Sequence, residues 1–172
     1  DGIAATLLNL PGKPSAELAV HGSGTFADFR SDLALSTDGQ PRVTGQLTTS
    51  TPTTTAGPAG GRNFFLSLRG DIAPLLPPAY GDFFGNRVTL EAEGARRPNG
   101  QMDLSRLVLD SPGVGLSGRL SLSPERVPLA SALTLRLGLP DGRDLVLPVP
   151  GGATTVKSGV LRLRYDAAKT TD

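Results

Sequence analysis

The chain has 172 residues, with 17 basic against 16 acidic side chains for a formal charge of +1, one histidine and no cysteine. That balance gives no net field for gathering nucleic acid or an acidic membrane surface, and without cysteine neither disulfides nor thiolate metal sites can form. Twenty-two Gly and fifteen Pro exceed the usual shares of about 7% and 5%, which favours short strands and many turns over long helices.

The dominant pattern is period-two alternation, which sends every second side chain to the same face of a strand. It begins with Leu18 and Val20 set against Glu17 and Ala19. It continues with Leu33 and Leu35 against Asp32 and Ser36, then Val43, Gly45 and Leu47 against Arg42, Thr44 and Gln46. From Thr48 to Gly61 the run of Thr, Pro, Ala and Gly offers nothing to bury, so a mobile loop is expected over 48–61. Alternation resumes at Phe64, Leu66 and Leu68 and breaks again after Ile72. There Pro77 and Pro78 suit a first helical turn and Gly85 a C-terminal cap. A short helix is therefore predicted over 77–84, with Tyr80, Phe83 and Phe84 on one face and packed on the sheet as a plug.

Beyond it, Val88, Leu90 and Ala92 alternate with Thr89, Glu91 and Glu93. Leu107 and Leu109 follow, then Leu116, Gly118, Leu120 and Leu122, then Leu133, Leu135, Leu137 and Leu139. Leu145 and Leu147, and finally Leu161, Leu163 and Tyr165, complete the series, for about ten strands in all. Asp38-Gly39, Asn99-Gly100 and Asp141-Gly142 are pairs that tolerate positive φ, as tight hairpin turns require. Laid on itself at an offset of about 72 residues, the chain matches Leu18, Val20, Gly22, Asp32, Leu33, Gly45 and Leu47 with Leu90, Ala92, Gly94, Asp103, Leu104, Gly118 and Leu120. Two related units, 16–70 and 86–140, are expected within a single all-β segment, because a sheet grows by adding similar hairpins.

Catalytic chemistry finds little to stand on. His21 is the only histidine, so neither a metal cluster nor a His-paired nucleophile has a second member, and its alternation phase turns it away from Val20 toward solvent. Glu91 and Glu93 share a strand face about 7 Å apart, but no apolar pocket is at hand to raise one carboxyl pKa. Gly57-Pro58-Ala59-Gly60-Gly61 lacks the Lys-Ser/Thr pair and the helix of a phosphate loop. Arg96-Arg97 fits a solvated hairpin tip, and no Ser stands in a nucleophile elbow. No enzyme, cofactor or metal is expected. The opening Asp1-Gly2-Ile3 has neither an initiating Met nor a signal-peptide apolar run, and no stretch approaches the roughly 20 apolar residues of a membrane span, so the chain reads as an excised piece of a longer protein.

The segment from Gly70-Asp71-Ile72-Ala73-Pro74-Leu75 through Tyr80 and Phe83-Phe84-Gly85 to Leu90-Glu91-Ala92-Glu93-Gly94 resembles a stretch of the TamB and AsmA-like family of Gram-negative bacteria. So does Leu18-Ala19-Val20-His21-Gly22-Ser23-Gly24 with Phe29, Asp32-Leu33-Ala34-Leu35 and Gly45-Gln46-Leu47, and the resemblance runs from Leu10 to Leu122. It implies a periplasmic location, an inner-membrane anchor elsewhere in the parent protein, and a taco-shaped curved antiparallel sheet with a hydrophobic groove. It implies phospholipid acyl chains as cargo moving between inner and outer membrane, with an Omp85-type partner, TamA, or outer-membrane barrel clients. On that reading Leu18, Val20, Leu33, Leu35, Leu90, Leu104, Leu120, Leu135 and Leu163 face the lipid. A closed β-sandwich is the alternative architecture, since alternation alone does not say what covers the apolar face. A module assisting assembly of barrel proteins, or a structural spacer, is the alternative role.

Overall fold

The computed structural model describes residues 15–25, 27–52, 60–147 and 154–169. Eleven strands are formed: β1 Ala16–Gly24, β2 Asp28–Thr37, β3 Gln40–Ser50, β4 Arg62–Gly70, β5 Val88–Arg96, β6 Met102–Asp110, β7 Val114–Leu122, β8 Pro128–Leu137, β9 Leu145–Leu147, β10 Thr154–Val156 and β11 Gly159–Asp166. Nine of them make one antiparallel sheet in the order β1-β2-β3-β4-β5-β6-β7-β8-β11, while β9 and β10 pair separately. The sheet is not closed into a barrel, and β1 and β11 are its edges.

Local chemistry explains the meander. Asp38 and Gly39 adopt φ of 50° and 71°, the left-handed pair that lets a two-residue turn follow the strand twist, and it joins Thr37 to Gln40. Between β5 and β6, Gly100 takes φ of 90° and the backbone of Arg97 donates to Gln101. β1–β4 cover 16–70 and β5–β8 cover 88–137, so residues matched by the internal repeat occupy corresponding strands. A bulge at Ser105, whose hydroxyl donates to the Glu93 carbonyl at 3.2 Å, interrupts strict alternation in β6 and returns both Leu104 and Leu107 to one face.

Three expectations need correction. Thr48, Thr49 and Ser50 are not loop but the end of β3, paired with Phe65, Phe64 and Asn63; β-branched threonines suit a pleated strand once a neighbour takes their backbone groups. The remainder of the expected loop falls largely on 53–59, outside the described residues. Asp141-Gly142 does make a turn, with Gly142 N–H donating to Leu139, but it joins no pair of neighbouring strands: β8 pairs with β11, and Leu145–Leu147 turns aside to pair with β10. Among the described residues the second sheet is only the two-stranded β9–β10 pair, so the alternative of a closed sandwich is not formed.

The helical segment forms as two short 3-10 turns, Ala73–Leu75 and Pro78–Tyr80, followed by α1, Gly81–Phe84. Gly85 closes it with φ of 54°. Tyr80, Phe83 and Phe84 stack in sequence, with centroids 6.4 Å apart in each step. They sit at the end of the sheet, however, where the Phe83 carbonyl accepts from Gly113 N–H and from the Ser111 hydroxyl at the β6–β7 turn. Both long connections, 71–87 and 138–158, leave the sheet at this same end, and α1 meets β9 there. The best-buried apolar side chains cluster in these strands and connections: Leu145 is fully buried, with Val88 and Val114 close to it in exposure.

Candidate functional site

Cross-strand partners in an antiparallel sheet project to the same side, so the register assigns every residue to a face. One row runs Leu18, Leu35, Val43, Gly70, Val88, and the next runs Val20, Leu33, Gly45, Leu68, Leu90, Leu109. On the other half, Leu109, Leu116, Leu135 and Leu161 form one row and Leu107, Gly118, Leu133 and Leu163 another. Across the nine strands this face carries mostly Leu, Val, Phe, Ala, Gly and a few hydroxyl side chains, with two charges, Arg62 and Arg96, at its far end in the row Arg62, Arg96, Met102, Leu122. All nine residues named from sequence as groove-facing lie on it.

The face is curved. Leu18 on β1 and Leu109 on β6 line one apolar concavity of about 400 Å³ together with Leu33, Leu35, Leu68, Val88 and Leu90, although five strand spacings in a flat sheet would separate them by about 24 Å. Glycines on the inner face permit the bend. A side chain at Gly45 would collide with Leu68 and the Ser67 carbonyl, and one at Gly118, which holds φ of 149°, would strike the Ala132 carbonyl. These two glycines occupy equivalent places in the two halves. Val43, Leu68, Val88 and Leu109 also line the concavity. They share the alternation phase of the named residues, so periodicity could have found them; Ile72, which enters from the 71–87 connection, carries no such signal.

Little covers this face. Among the described apolar residues only Val88, Ala92, Val114 and Leu145 are buried, and the leucines of the face between its edges are half-buried. At the edges Leu18 is 57% exposed, Leu161 62% and Leu163 52%. Two polar side chains of β2 in this phase are buried: Thr37, which accepts from Arg42 Nε at 2.8 Å, and Ser31, whose hydroxyl has no partner.

The opposite face is polar. His21 stands there across from Asp32 and is exposed. Glu91 is held by Arg106 at 2.9 Å, which occupies one of the two carboxylates that a general-acid pair would need. Arg97 bonds Asp103 at 2.6 Å, so half of the arginine pair steadies the β5–β6 hairpin while Arg96 lies exposed. Among the described residues no group of His, Asp or Glu is placed to hold a metal ion, and no helix is long and apolar enough to cross a membrane. No family model, curated protein or solved structure matches the chain.

Proposed function

We propose that this chain is a segment of a lipid-conducting groove, a non-catalytic part of a larger periplasmic protein of the TamB and AsmA-like kind. The observation that carries the reading is an apolar face nine strands wide, charged at one end by Arg62 and Arg96 and without a covering layer among the described residues. Solvated leucines are a cost unless something takes them from water. An acyl chain of about 16 carbons laid along them would gain roughly 10 kcal/mol gross at about 0.8 kcal/mol per methylene, before the cost of ordering it. Apolar contact has no direction, which suits cargo that must slide. Native mass spectrometry of gently purified protein is expected to show copurified phospholipid; protein that stays lipid-free and takes up no added lipid would sink the reading.

The edges favour a second reading. β1 and β11 have no further partner among the described residues, and such edges accept a strand from a client or a neighbouring domain. On this reading the chain helps assemble outer-membrane barrel proteins, with an Omp85-type protein such as TamA as the receiving partner. Crosslinks from cysteines placed along β1 or β11 to a strand of a barrel client, at in-register spacing, would favour it over lipid conduction.

A further inference from the structure

The two rims of the groove are chemically unlike. On β1, the side chains turned away from the apolar face are Glu17, Ala19, His21 and Ser23; on β11, Arg162 and Arg164 take that position between Leu161, Leu163 and Tyr165 on the inner side. Arg162 and Arg164 are exposed, and neither stands in any of the ion pairs of the described residues; the one carboxylate on that side of β11 is Asp166. Arg164 and Arg119 flank Ala132 in one cross-strand row, and both line a shallow depression of about 640 Å³ with Ser121, Ala130 and Asp166, two guanidinium groups against one carboxylate.

We infer that the β11 rim is the headgroup side of the groove and takes lipids bearing an anionic phosphate headgroup, with their acyl chains on Leu161 and Leu163 and the phosphate at Arg162 and Arg164. The inference rests on the lipid reading above and adds a substrate class and a direction of lie. A lipid held with its tails on a curved apolar face leaves its head at an edge. Guanidinium groups match phosphate oxygens by paired N–H donors, whereas Glu17 at the other rim repels them. Tyr165, with an apolar ring and a hydroxyl tip, suits the boundary between the two zones.

Two lipids with the same tails separate the parts of the argument. Tail-labelled phosphatidylglycerol and tail-labelled diacylglycerol are titrated into the purified chain and into R162Q/R164Q, whose exposed positions leave the fold unchanged by circular dichroism. Phosphatidylglycerol is expected to bind the parent chain about tenfold more tightly at low salt, from two arginines near an anionic group. The double variant should lose that preference while diacylglycerol binding holds. Equal binding of both lipids by the parent chain, or a preference that survives the double substitution, overturns the rim assignment and leaves the groove standing. Binding of neither lipid overturns both. Binding of polyglutamate that the double variant abolishes, with no lipid preference, would assign the arginines to an acidic protein and overturn it as well.

Discussion

The end of the sheet where the two long connections meet and the broad face that they leave bare use the same side chains to opposite effect. At the end, Leu145 is fully buried and Val88 and Val114 nearly so, and α1 is fastened to the β6–β7 turn by two hydrogen bonds to the Phe83 carbonyl. Across the face, leucines of identical chemistry remain half-exposed, and at the rims they are mostly exposed. Backbone pairing along eight strand contacts therefore holds the sheet, a small apolar cluster secures one end, and the half-buried leucines of the face contribute part of what full burial would give. A residue's worth here depends on whether something already sits on it.

Charge placed at the two regions gives the largest contrast. Leu145→Asp puts an unpaired carboxylate in a fully buried site and is expected to cost more than about 4 kcal/mol, while Leu161→Asp at the rim should stay within about 1 kcal/mol. Urea melts followed by circular dichroism measure both, and similar losses would mean that the face is a core after all. Gly118→Ala tests the bend: φ of 149° and the nearby Ala132 carbonyl should make it lose about 1–3 kcal/mol, with reduced lipid uptake as the curve opens.

Leu120→Arg and Leu135→Arg lie on the half-exposed part of the face and should lose about 1–1.5 kcal/mol each, roughly half of a leucine's full burial. They should keep their β signal but fail to hold lipid, since a guanidinium in the path draws water into it. Unfolding of both variants would defeat the open groove. The smallest effect is expected at the polar hairpin. Burial pushes the Asp103 carboxyl up, but hydrogen bonds from Arg97, Ser121 and Gln101 outweigh it and hold the carboxyl below its ordinary value. Its contribution is thus present at neutral pH and lost as pH falls below the ordinary carboxylate range, through the lowered folded value. Asp103→Asn should cost about 0.2–1 kcal/mol, as exposed pairs do, and should flatten the acid limb of a pH–stability curve.

Alternation made the strands legible because a leucine at every second place has one physical meaning in a pleated chain, and Asp38-Gly39 marked its hairpin because few pairs accept two positive φ angles. The nine residues expected from sequence to face a groove fell on one face for the same reason. What stayed hidden depended on partners distant in the chain. Nothing in Leu145 and Leu147 distinguishes them from a sheet strand; only the pairing of β8 with β11 excludes them. Ser105 looks like an ordinary polar position, yet as a bulge it shifts the phase of Leu104 relative to Leu107. The aromatic run at Tyr80 to Phe84 announced a plug, but the choice between the sheet's face and its end was made by Ser111 and Gly113, which no local pattern connects to it.

The order of the strands also sets an order of events. Seven of the eight pairings join strands consecutive in the chain, so each can zip onto its predecessor as it leaves the ribosome, without waiting for distant sequence. The eighth is different in order: β11 reaches β8 only after residues 138–158, with β9 and β10 among them, have been made, at a closure cost about 2 kcal/mol above that of a two-residue turn and close to that of the 71–87 connection. The rim that carries Arg162 and Arg164 is therefore completed only when the other eight strands of the sheet have already been made.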